Sequence, residues 1–145
     1  MKNLTDSELV DLAQKNLKKE AIIRKIDPER IIFCKRTSSK EHIKRYQLAD
    51  LYLDTFPYGA HTTANEALFS GLPIITIIGE SFQSRVCSSL LTTIGLKELI
   101  TNSHNEYENL AINIAKNPQK LKLIKDNLNT IKEYWQFGLF YMEAS

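Results

Sequence analysis

What this sequence lacks narrows it quickly. Its two cysteines, Cys34 and Cys87, stand far apart, and its three histidines, His42, His61 and His104, are not at metal-ligand spacing. The familiar zinc patterns are therefore absent, and no metal site is expected. Both cysteines read as buried small hydrophobes, Cys34 because it closes an apolar run at 31–34. Unpaired cysteines fit a reducing compartment. The five glycines form neither G-x-G-x-x-G nor G-x-x-x-x-G-K-[ST]. A dinucleotide dehydrogenase and a P-loop enzyme both lose support, and no G-x-S-x-G elbow presents a nucleophile. No stretch reaches about 18 apolar residues, and no apolar signal-peptide core follows the first methionine. The expected location is cytoplasmic, without a membrane partner. A net charge of +2 gives no argument for nucleic acid. There is no internal repeat and no low-complexity tract.

The charge that exists is unevenly placed. Residues 1–45 carry twelve Lys/Arg against seven Asp/Glu, whereas no Lys or Arg occurs between Tyr46 and Ser84. The central stretch therefore reads as a buried sheet with its ligand edge. With 145 residues, 43% hydrophobic and 25% charged, the chain is of ordinary globular composition and suffices for one domain with a modest core.

Capping patterns mark the helices. Thr5-Asp6-Ser7-Glu8 is a capping box, with Leu9, Leu12, Ala13 and Leu17 at helical spacing behind it, and predicts a helix reaching about 26. Asp27-Pro28 makes a turn. The β-branched and aromatic run 31–34 predicts a buried strand. A second capping box at Ser38 opens a helix to about 47, and residues 48–54 give the next strand. A helix from 62 to 70 ends at Gly71, with Pro73 beyond it. Residues 74–78 form the clearest strand, followed by a turn at Gly79-Glu80-Ser81 and a helix over 82–93. A third capping box at Ser103 begins a helix to 117, and Pro118 opens another to about 132. Residues 134–145, with Tyr134, Trp135, Phe137, Phe140 and Tyr141, read as an aromatic tail. Alternating strands and helices imply a parallel sheet and an α/β layered fold, whose ligands bind beyond the carboxyl ends of the strands.

One segment on that edge carries chemistry. Residues 54–60 form a loop containing proline and glycine, followed by His61-Thr62-Thr63 at the start of a helix. Hydroxyls, an imidazole and free backbone N–H groups at a helix N-terminus suit an anion, most often a phosphate. Thr62 or Thr63 as a plain N-cap answered by Glu66 accounts for a threonine and a glutamate, but not for His61 beside two threonines. The residues alone leave both readings open. His42 and Arg45 share one side of the preceding helix, where they contact a ligand or face solvent; taken alone they favour solvent.

More than pattern is present. The segment 26–33 (Ile26-Asp27-Pro28-Glu29-Arg30-Ile31-Ile32-Phe33), Glu41-His42, 47–55 (Gln47-Leu48-Ala49-Asp50-Leu51-Tyr52-Leu53-Asp54-Thr55), His61-Thr62-Thr63, Ser70-Gly71-Leu72-Pro73, Gly79-Glu80 and Ser84-Arg85-Val86 together resemble the catalytic region of the O-linked N-acetylglucosamine transferase (SPINDLY-like) family. The resemblance runs from about residue 12 to about 130, with motif order and spacing kept. It implies a GT-B architecture of two Rossmann-like lobes, of which this chain resembles the C-terminal, nucleotide-holding one, over residues 1–133. The strand expected before the first helix is missing. The family transfers N-acetylglucosamine or another sugar from a UDP or GDP donor to Ser/Thr of proteins, inverting the anomeric centre, with no metal or other cofactor. By position, the resemblance implies that His61, Thr62 and Thr63 hold the diphosphate, that Glu66 contacts the ribose where the family commonly has aspartate, and that His42 and Arg45 flank uracil and ribose. The family's donor-binding lysine falls at Ser39 here, with Lys40 one residue away. The implied partners are UDP or UDP-N-acetylglucosamine, an acceptor protein, and a separate chain supplying the N-terminal lobe. The expectation is a lobe holding about half of an active site, inactive alone. The rival expectation is a non-catalytic nucleotide-binding or protein-interaction module derived from the same lobe.

Overall fold

The computed structural model describes residues 3–56, 59, 62–79 and 82–143, with side chains except at 82–84 and 135–143. The described chain divides into two compact units, residues 1–37 and 38–145.

The first unit is built on helix α1 (Asp6–Ile23), started by the expected capping box. The Thr5 hydroxyl accepts from the Glu8 N–H at 3.3 Å, and the Glu8 carboxylate accepts from the Thr5 N–H at 2.8 Å. These bonds, the backbone one foremost, hold the Glu8 carboxyl below its ordinary range. The helix stops at Ile23, short of the expected 26, because Lys25 takes a positive φ of 58° and Ile26 N–H turns back to the Ala21 carbonyl. A 3-10 turn over Pro28–Arg30 follows, capped by Asp27 and tied to α1 by a 3.1 Å Lys18–Glu29 ion pair. Residues 31–34 are not a strand. Ile32 is 82% exposed and Cys34 is exposed, against the expectation that both are buried. A strand needs a partner to satisfy its N–H and C=O groups, and none of the described strands pairs with this run.

The second unit holds the sheet. Its elements are α2 (Ser39–Tyr46), β1 (Tyr52–Leu53), α3 (Thr62–Phe69), β2 (Ile74–Ile77), α4 (Phe82–Thr93), β3 (Ile100–Thr101), α5 (His104–Lys116) and α6 (Pro118–Glu143). The strands run parallel in the order β1-β2-β3, with Tyr52 opposite Ile74 and Thr76 opposite Ile100. β2 is central and buried along its whole length, which explains why it is β-branched throughout and apolar except at Thr76. Against it pack Ala64, Ala67 and Leu68 of α3, Cys87 and Leu91 of α4, Ile114 of α5, and Ile124 and Leu128 of α6. In α3, α4 and α6 the i, i+3 and i, i+4 spacings of these residues make one buried stripe per helix.

The helix boundaries follow local chemistry. Ser38 caps α2 through Glu41 N–H at 3.4 Å, and Ser103 caps α5 through Glu106 N–H at 3.1 Å. Gly71 leaves α3 at φ 86°. Two expectations change here. Strand β1 occupies only two residues of the expected 48–54, and β3, which lies after a 3-10 turn at Lys97–Leu99, was not expected at all. Helix α6 continues beyond 132 to Glu143, so residues 134–143 of the expected tail are helical. The stretch contains no proline to stop it, and its one glycine, Gly138, is tolerated inside a helix.

Candidate functional site

The carboxyl end of the sheet is a polar node. Asp54, directly after β1, is only 6% exposed. Its Oδ2 accepts from the Thr76 hydroxyl of β2 at 2.7 Å, and its Oδ1 accepts from Thr55 N–H at 2.9 Å. The Tyr107 hydroxyl of α5 donates to the Asp54 carbonyl at 2.8 Å, and the Thr101 hydroxyl of β3 donates to the Thr76 carbonyl at 2.9 Å. A buried carboxylate survives only when so supplied with donors. Its charge helps hold its neighbours in their neutral forms. Burial first, and the Asp54 charge second, push the Cys87 thiol and the Tyr107 phenol each up to about 12. The node ties three strands and α5 together.

Beside it, α2, β1 and α3 bring His42, Glu66 and Thr63 together around two tyrosines. His42 Nε2 lies 3.0 Å from the Tyr46 hydroxyl, their rings edge to face with centroids 5.1 Å apart. The same hydroxyl donates to Glu66 Oε2 at 3.5 Å. Tyr46 packs at a tilt on Tyr52, with centroids 6.5 Å apart, and the Tyr52 hydroxyl donates to Thr63 Oγ1 at 3.4 Å. Burial, with the Glu66 charge next, pushes the Tyr46 phenol up to about 12. Two tyrosines thus link His42 to Glu66 and sit against Thr63.

The sequence reading missed both tyrosines. Tyr46 follows His42 by one helical turn, a spacing that places the two side chains on one face. That was the available signal, but an apolar stripe offers the same one. The other candidates fall as follows. Thr62 and Thr63 are exposed in the first turn of α3, and Arg45 is half-buried in α2. Lys40 is exposed in the first turn of α2, two residues before His42 and so about 200° around the helix from it. It is not brought to His42. His61, Glu80 and Ser81 lie outside the described residues, as do the side chains of Trp135, Phe137, Phe140 and Tyr141. Near the same edge, Phe56 meets His104 of α5 edge to face at 5.3 Å, and Arg85 donates to the Gly79 carbonyl at 2.9 Å. Among the described residues no group of three His, Cys, Asp or Glu side chains is placed to hold a metal ion, and no helix is long and apolar enough to cross a membrane.

Comparison with known proteins gives this geometry a context. The chain is 36% identical over 102 residues to a UDP-N-acetylglucosamine--peptide N-acetylglucosaminyltransferase of Caenorhabditis elegans, covering 70% of this chain and 9% of that protein. It is 39% identical over 104 residues to the probable enzyme SEC of Arabidopsis thaliana, covering 71% and 11%. It is 40% identical over 88 residues to the probable enzyme SPINDLY of rice, covering 61% and 10%. The chain thus spans about a tenth of the length of these relatives. Among solved structures, a mutant O-GlcNAc transferase of Thermobaculum terrenum superposes with a TM-score of 0.80 at 28% identity, over 85% of this chain and 24% of that one. The Rossmann-like portion of a GT-B transferase expected from the resemblance is the fold the chain has. A sequence model of glycosyl transferase family 41 matches residues 9–141, and the chain belongs to that family.

Proposed function

We propose that this chain is the donor-binding lobe of a protein O-GlcNAc-type glycosyltransferase, which transfers a sugar from a UDP-sugar to Ser/Thr of an acceptor protein. The observation that carries the reading is the convergence of His42, Glu66 and Thr63 around Tyr46 and Tyr52, at the carboxyl edge of a parallel sheet. That edge is where α/β sheets hold nucleotides. On this reading His61, Thr62 and Thr63 take the diphosphate at the start of α3, Glu66 the ribose, and His42 and Arg45 the base side. Lys40 is the weakest member, since it is turned about the helix away from His42. The donor is the substrate, and no further cofactor is required. The protein works in the cytoplasm.

Glycosyl transfer needs preorganised donors for the departing diphosphate and an acceptor hydroxyl held in line. The lobe supplies the first only in part. The chain by itself therefore binds nucleotide weakly and transfers no sugar, and the cleft needs a second lobe to be complete.

Titration of the purified chain with UDP, GDP and UDP-N-acetylglucosamine, followed by two-dimensional amide NMR, tests this. Saturable shifts with UDP, lost in His61→Ala, are expected. A well-dispersed spectrum indifferent to every nucleotide would sink the donor-lobe reading and favour a protein-interaction module. Donor-dependent glycosylation of a peptide by the chain alone would overturn the claim that it is inactive by itself.

A further inference from the structure

Tyr46 occupies an unusual position. Its ring belongs to the hydrophobic core and the residue is 8% exposed, yet its hydroxyl lies between two polar side chains from different helices. A phenol has one proton to give. Glu66, as a carboxylate, can only accept. If the proton went to His42 instead, the phenolic lone pairs would face the Glu66 carboxylate at 3.5 Å with nothing between them. Donation to Glu66 removes that repulsion and makes a charge-assisted bond. The phenolic oxygen is then left as an acceptor, and the 3.0 Å contact to His42 Nε2 requires the imidazole to carry its proton there.

We infer that Tyr46 is a positioning residue for the donor site: its hydroxyl fixes His42 as the Nε2–H tautomer and orients the Glu66 carboxylate, so that the two act as one unit. The inference rests on the proposed donor-binding reading for its purpose, but the proton order it specifies exists in the free chain. The core-anchored ring supplies the rigidity: a side chain locked by packing places its hydroxyl more reproducibly than a flexible surface residue would. The ordering leaves His42 Nδ1 as a bare acceptor, able to take a hydrogen bond from a ligand N–H or O–H. It also restrains the longer glutamate at a position where the resemblance implies the shorter aspartate.

The test reads the proton directly. Long-range 1H–15N correlation spectra of the full chain, recorded at about pH 8.5 where an ordinary imidazole is neutral, report the tautomer, with the signal assigned through His42→Gln. The wild-type chain is expected to show Nε2–H at His42. Tyr46→Phe keeps the ring in the core, so its thermal melt should stay close to that of the wild type. Its tautomer should relax to a mixture, and its affinity for UDP should fall roughly tenfold, the worth of one well-placed polar contact. Glu66→Ala, at a partly exposed position, should send the phenolic proton to the imidazole and invert the signature to Nδ1–H. Nδ1–H in the wild-type chain, or no change of tautomer in either variant, would overturn the relay. An unchanged UDP affinity in Tyr46→Phe, with wild-type binding present, would overturn the positioning role. If the wild-type chain binds no UDP at all, the donor-lobe reading fails and with it the role assigned to Tyr46, and the tautomer spectra still decide whether the proton order is right.

Discussion

The two cysteines were read alike from the sequence and behave oppositely. Cys87 faces the sheet from α4 with none of its surface exposed, and burial together with the Asp54 charge pushes its thiol up to about 12. At pH 8 only about one molecule in ten thousand then carries the thiolate that reacts. Cys34 is exposed. Iodoacetamide at pH 8 should therefore label Cys34 in the native chain and reach Cys87 only once the chain is unfolded, a difference that mass spectrometry of the digested protein resolves. Equal labelling of both in the native state would contradict the packing of α4. The error over Cys34 has a physical source: an apolar run predicts a strand, but burial comes from pairing, and the run 31–34 has no strand partner among the described residues. The candidate site was legible to a similar degree. Thr63 was legible as a polar residue at a helix start on the sheet edge, whereas His42 and Glu66 gained their place only through the resemblance to a family. Tyr46 and Tyr52 did not stand out, because tyrosines at core spacing look like core, and Tyr46 is core apart from its hydroxyl.

Helices announce themselves through their ends, which are local chemistry, and strands do not. Thr5, Ser38 and Ser103 each cap the helix that the sequence placed behind them. Strands β1 and β3 are two residues long each and exist because β2 lies between them, a fact no local window contains. Gly71 and Gly95 mark two helix exits, at φ 86° and 78°, where a side chain strains the backbone. They differ in what surrounds them. A Cβ on Gly71 would meet the Asn129 Oδ1 of α6 at 3.0 Å, whereas one on Gly95 would meet nothing within 4 Å. Gly95→Ala should cost about 1 kcal/mol, the backbone term alone, and Gly71→Ala about 1–2 kcal/mol more than that, because Asn129 must also give way. Urea midpoints of the two variants check the order. A Gly95→Ala variant that is the less stable of the two would contradict the seating of α6 against the end of α3.

For the whole molecule, what matters is where the core lies and what it has buried. Among the described residues, the buried core that packs on the sheet falls within residues 38–145, and the first unit buries only Ala21 of its apolar side chains. That same core holds three groups that resist ionisation: Cys87, raised from 9.0 to about 12, and Tyr46 and Tyr107, each raised from 10.0 to about 12. Each is uncharged when folded, and burial is the first cause in all three. Below about pH 8 folded and unfolded chains both keep these protons, and the contribution of the three groups does not vary with pH. Between about 8 and 12 the unfolded chain releases protons that the folded chain retains, the thiol first and the phenols after it, so deprotonation favours the unfolded state and stability falls as pH rises. Above about 12 the folded chain loses them as well, and the fall levels off. The urea midpoint should thus be flat with respect to these groups from pH 7 to about 8 and decline steadily towards 12. In Tyr46→Phe the decline should be shallower, because one of the three protons no longer differs between the two states. A midpoint that holds constant across that window would mean that the phenols and the thiol ionise in the folded chain as they do in water, and the core beneath the candidate site would then be open to solvent rather than sealed.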